Sequence, residues 1–161
     1  MNIGLILGLV IGFGLLGLAI GIGLLGHKKL VQSGQIVSRD THFMEKAEIF
    51  ILNEPDPAQV VEQIKTISGN VGIHMKGSSV DQWFKFDTSG WEAKLEKQSP
   101  ENGKCVYRFQ FTHWNTYRGM PEGALAMNKL LTAVEKMFVS FDHETVVKTE
   151  AVNFNTKTKL F

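Results

Sequence analysis

The chain is poor in the residues that staple a fold, coordinate metal or attract polyanions. It has one cysteine, Cys105, among 161 residues, so no internal disulfide can form and a disulfide-framed secreted fold is excluded. An unpaired thiol suits a reducing compartment. Neither sign of charge is in excess: 17 basic and 16 acidic side chains leave a formal charge of +1. That is too little for the electrostatic footprint nucleic acid demands, and no nucleic-acid partner is expected. Metal-ligand spacings are missing as well, since His27, His42, His74, His113 and His143 form neither H-x-x-x-H nor H-E-x-x-H. His74 is expected opposite the apolar side of its strand. His143, beside Asp142 past a helix end, suits the helix dipole as a cation. Cys105 and His113 fall on one predicted strand, but at about 3.3 Å per residue they lie about 26 Å apart, too far for a Cys-His dyad. No catalytic residue, metal ligand or cofactor is assigned.

What is abundant is apolar residue and glycine at the start of the chain. Ile3 to Gly26 contains no charge, and a helix of about 24 residues spans about 36 Å, enough for the hydrocarbon core of a bilayer. A cleaved secretory signal would need positive charge before a shorter apolar run, and here only Asn2 separates Met1 from it. His27, Lys28 and Lys29 follow the run directly, so the positive-inside rule sets the topology with the C-terminal side in the cytoplasm. The expectation is a single-pass protein of the cell membrane, with the lipid bilayer as its first partner.

Two copies of G-x-G-x-x-G, at Gly12-Gly14-Gly17 and Gly21-Gly23-Gly26, would elsewhere mark a dinucleotide-binding turn. Here no strand precedes them and no polar loop surrounds them, so packing explains them better. At about 100° per residue, Gly4, Gly8, Gly12, Ala19, Gly23 and Gly26 share one side of the helix, with Gly14, Gly17 and Gly21 nearly opposite. Small residues spaced by four let helix backbones approach closely in lipid, which predicts a homo-oligomer or a complex with another membrane protein. The plainer reading is that glycine is common in membrane helices.

Beyond an anchor at 1–26, residues 27–43 read as a juxtamembrane linker, in which Lys28, Lys29 and Arg39 could meet anionic headgroups but fall short of a lipid-recognition cluster, the plainer role of the two lysines being to set topology. Residues 44–161 read as one soluble domain of ordinary size. Ala47–Leu52 reads as a buried strand. Asp56 as N-cap and Pro57 at the first helical position open a helix whose Val60, Val61, Ile64 and Ile67 form an apolar stripe, with Ser68-Gly69-Asn70 as its stop. Strands are predicted at Val71–Met75, at Trp83–Asp87, around Trp91, Ala93 and Leu95, and around Tyr107, Phe109 and Phe111. A second helix over Pro121–Phe141 carries Ala124, Met127, Leu131, Val134, Phe138 and Phe141 at three- and four-residue spacing. Strand character returns over Thr145–Phe154. The fold class is α+β, with an antiparallel-rich sheet and two helices packed on one face of it.

Between the last predicted hairpin strand and the second helix, Trp114, Asn115, Tyr117 and Arg118 gather residue types enriched at interface hot spots. They form the candidate interaction surface, against the plainer reading that Trp114 and Tyr117 cap the end of the sheet. The function expected is a membrane-anchored, non-enzymatic interaction or scaffold module. Two alternatives stand beside it. One is a membrane-anchored small-ligand binder or enzyme with a pocket between sheet and helices. The other is a channel or transport accessory, weakened because the run from Ile3 to Gly26 offers a lumen no polar wall.

Overall fold

The computed structural model describes residues 26–152. The chain divides into two compact units, residues 1–38 and 39–161. Of the first, residues 26–32 are helical. This helix closes on the left-handed Gly34 (φ 68°). Gln35 N donates to Leu30 O and Gly34 N to Val31 O, both at 2.9 Å, the paired bonds of a Schellman stop. His27, Lys28 and Lys29 are exposed on it. No helix among the described residues is long and apolar enough to cross a membrane. The expected anchor at 1–26 lies, apart from Gly26, outside the described residues.

The second unit is α+β. After a 3-10 turn at Phe43–Glu45 come β1 (Lys46–Leu52), α1 (Pro57–Val71), β2 (His74–Ser78), β3 (Trp83–Asp87), β4 (Trp91–Glu101) and β5 (Lys104–Trp114). A short pair β6 (Thr116–Tyr117) and β7 (Met120–Pro121), α2 (Ala124–Phe141) and β8 (Val146–Ala151) complete it. Six strands form one sheet in the order β2-β3-β4-β5-β1-β8, antiparallel at every junction. Strand β5 lies inside the sheet between β4 and β1, and its alternating Tyr107, Phe109 and Phe111 are buried. These side chains share one buried cluster with Phe50, Phe84, Phe86 and Leu95 of the sheet, Val60 and Ile64 of α1, and Met127, Leu131, Val134 and Phe138 of α2. The opposite face carries a smaller cluster, Ile49, Ile51 and Val106, among charged side chains.

The first helix opens as its sequence predicts: the Asp56 carboxylate accepts from Ala58 N at 3.0 Å, with Pro57 in the first turn. Its end differs. Ser68-Gly69-Asn70 stays helical, and the stop is Gly72 in the left-handed region (φ 71°). Val71 therefore belongs to α1, and the following strand starts at His74, not Val71. Ser68 could stay in the helix because its buried hydroxyl donates to Ile73 O, holding the turn closed. The second helix starts at Ala124 instead of Pro121 because Pro121 is taken by β7. Between β4 and β5 the turn is the two residues Asn102 (φ 52°) and Gly103 (φ 77°), a type I′ pair that matches strand twist.

Candidate interaction surface

The segment following β5 is shaped first by a bulge. Trp91 faces Trp114 and Glu92 faces His113, but Ala93 faces Phe111, so Thr112 is an extra residue on β5. One extra residue reverses which side later side chains point to. Trp114, by strict alternation a solvent-face residue, is thereby turned to the helix side. There it packs partly buried against the core, opposite the buried Trp91, which sits edge-on to Phe111 at 5.8 Å. His113 is exposed.

Asn115 then ties the segment down. Its N–H donates to Gly90 O at 2.7 Å and its carbonyl accepts from Glu122 N at 2.9 Å. Gly90 itself is held by Thr88, whose hydroxyl accepts from Gly90 N at 3.2 Å and Trp91 N at 3.0 Å. From this base β6 and β7 project as a tight hairpin turning at Arg118 (φ 51°) and Gly119 (φ 78°). Large apolar side chains are open here: Tyr117 is 60% exposed and Met120, its partner across the hairpin, 66%, while Leu125 in the first turn of α2 is 48% exposed. The Arg118 guanidinium lies 5.2 Å over the Tyr117 ring, a cation–π contact that orders both side chains. At the base, Gly123 (φ 76°) begins α2 with no side-chain cap, and a Cβ there would stand 2.8 Å from Trp91 Nε1. Thus Tyr117 and Arg118 come together on an outward projection, Asn115 works through its backbone, and Trp114 belongs to the base. Met120 was missed from sequence, since only the hairpin pairing sets it opposite Tyr117.

A second cluster was also not legible. Arg39 anchors no lipid-facing linker within the described residues; its side chain, 11% exposed, is ion-paired with Glu135 and lies 4.0 Å from Glu48. Its Nε donates to Asn128 Oδ1 at 3.2 Å, and Thr149 Oγ1 donates to Glu48 Oε2 at 3.1 Å. Burial pushes the Glu48 carboxyl above its ordinary range, with Glu135 adding to the shift and Thr149 and Arg39 opposing it. The cluster joins β1, α2 and β8. Tyr107 is likewise committed: its hydroxyl donates to Gln82 Oε1 in the interior, and burial pushes it up.

Two shallow depressions flank α1 and β2. One, of about 480 Å³, is lined by Pro57, Ala58, Val61, Glu62, Lys65 and Ser79. The other is lined by Val61, Lys65, Met75, Lys76, Gly77, Ser79 and Phe84. Among the described residues no three His, Cys, Asp or Glu side chains converge as a metal site would require.

No protein-family model and no curated protein matches the chain. Of the residues expected to pack helices, Gly4, Gly8, Gly12, Gly14, Gly17, Gly21 and Gly23, with Ala19, lie outside the described residues. Gly26 is exposed, with nothing within 4 Å of where a Cβ would stand.

Proposed function

We propose that the chain is a membrane-anchored, non-enzymatic interaction module. A glycine-rich helix over 1–26 holds it in the cell membrane and packs on a second copy or on another membrane protein. The α+β unit, on the cytoplasmic side, offers the β6–β7 hairpin to a protein partner. The observation that carries this reading is the uncharged run Ile3–Gly26 bounded at once by His27, Lys28 and Lys29. The hairpin supports it: Tyr117, Arg118 and Met120 are the residue types that dominate interface energetics, mounted on a backbone-pinned base. Against an enzyme or small-ligand binder stands the space between sheet and helices, which is filled by aromatic side chains.

The test is membrane extraction combined with labelling of Gln32→Cys by a membrane-impermeant reagent, in a Cys105→Ser background. The expected chain resists alkaline extraction and labels only after permeabilisation. Release into the soluble fraction would overturn the anchor, and labelling in intact cells would reverse the topology. Gly12→Leu is expected to reduce crosslinked oligomer in membranes; unchanged crosslinking removes the ground for helix packing.

A further inference from the structure

The last strand of the sheet is an edge whose sequence matches itself when turned around. Every residue of β8 is exposed, and Val146 and Val147 are among the large apolar side chains left open. Among the described residues no strand lies beyond it. Val152 N donates to Glu45 O at 2.9 Å, and β8 pairs with β1 in the register Ala47↔Glu150, Ile49↔Lys148, Ile51↔Val146. Hydrogen-bonded pairs alternate along an antiparallel ladder. Residues 146, 148, 150 and 152 therefore turn their backbone groups to β1, and Val147, Thr149 and Ala151 turn theirs outward.

We propose that β8 is a docking edge for a second copy of this chain, pairing antiparallel to a second β8 about a two-fold axis at Thr149, so that the two sheets become continuous. Backbone parity and charge together select this register. A two-fold pairing that uses the outward groups must set odd residues against odd. Centring on Thr149 sets Val147 against Ala151, Lys148 against Glu150, and Val146 against Val152 of the other copy. The neighbouring registers, centred on Lys148 or Glu150, would set like charges face to face, which is unfavourable in directly opposed pairs. The chosen one places two Lys–Glu pairs and a Thr–Thr pair across the seam. Within each copy Lys148 Nζ already pairs with Glu101 at 3.1 Å and Glu150 with Arg108 at 2.7 Å. Pairing would thus extend these into an alternating row running from Arg108 through Glu150 to Lys148 and Glu101 of the other copy. Such an isologous contact closes on itself and stops at two copies. The edge is separate from the proposed glycine helix, and its association does not depend on that helix.

Charge exchange in the full chain, solubilised in mild detergent and followed by sedimentation equilibrium, tests it. Lys148→Glu and Glu150→Lys alone are each expected to weaken the dimer at least about tenfold, because each places like charges opposite twice. The double variant Lys148→Glu/Glu150→Lys restores opposite charges across the seam and is expected to recover the dimer in part, because the exchanged side chains also meet like charges at Glu101 and Arg108; the two single variants mixed are expected to pair with each other. Val147→Pro, which removes an outward N–H and none bonded to β1, is expected to abolish it. In isolated membranes treated with an oxidant, Thr149→Cys in a Cys105→Ser background is expected to form an intermolecular disulfide, with and without Gly12→Leu in the anchor. Dimers indifferent to charge at 148 and 150, or a Thr149→Cys chain that forms no disulfide, would overturn the proposal; a dimer lost only with Gly12→Leu would assign association to the anchor instead.

Discussion

Replacing Gly123 by alanine separates two costs that the structure places on one residue. The first is conformational: a φ of 76° is the left-handed region, where an L side chain costs about 1–2 kcal/mol. The second is steric. An added Cβ would stand 2.8 Å from Trp91 Nε1 and 3.0 Å from its Cδ1, and Trp91 has little room to give, being buried and packed edge-on to Phe111. Overpacking a filled core costs about 1–3 kcal/mol, so Gly123→Ala is expected to destabilise the unit by about 2–5 kcal/mol. Gly119→Ala is the matched control, with φ 78° and nothing within 4 Å of the new Cβ; it carries only the first cost. Urea unfolding of the full chain in detergent, followed by far-ultraviolet circular dichroism and tryptophan fluorescence, measures both. A difference of about 1–3 kcal/mol between the two variants is expected, with the native tryptophan emission changed only in Gly123→Ala. Equal losses would refute the reasoning, because Trp91 would then not be held against the start of α2.

Two further outcomes follow from the core and the buried carboxylate. Phe138 stacks on Phe50 at 4.7 Å and meets Tyr107 at 4.8 Å, so Phe138→Ala is expected to cost about 3–5 kcal/mol in the same assay. Val139→Ala, at an exposed neighbour, should stay within about 0.5 kcal/mol of wild type. Glu48 has its folded pKa raised, chiefly by burial, so the folded state holds its proton to higher pH than the unfolded state does. Its contribution to stability is therefore fully present below the ordinary glutamate range and is lost as pH rises through the raised value. Glu48→Gln keeps an acceptor for Thr149 and is expected to flatten that decline in denaturation midpoints measured across the acidic range; an unchanged slope would show that Glu48 does not titrate differently on folding.

The elements whose partners are near in sequence were legible before any fold was known. Asp56 and Pro57 announce the start of α1 because a cap needs only the next turn of backbone. The alternation of Tyr107, Phe109 and Phe111 and the stripe Met127, Leu131, Val134 and Phe138 report burial through the periods of strand and helix. The end of α1 was misplaced by three residues because Gly69 and Gly72 are equally able to stop a helix. The choice fell to a buried bond from Ser68 to Ile73, which no local pattern encodes.

The composition of the chain also determined, without coordinates, that no internal disulfide can form and that one uncharged run is long enough for a bilayer. These are properties of counts and continuous segments. What only the tertiary structure decided depends on residues distant in sequence. The bulge at Thr112 turned Trp114 from the solvent face to the core, since parity along a strand is set by its partner strand. Arg39 found Glu135 and Glu48 across the unit, turning a linker cation into an internal bracket. The residues of β8, self-complementary on paper, acquired a binding edge only when β1 took up one side of their backbone and left Val147, Thr149 and Ala151 facing outward. A hydrogen-bond ladder assigns direction to every second residue, and that assignment belongs to the pair of strands, not to either sequence alone.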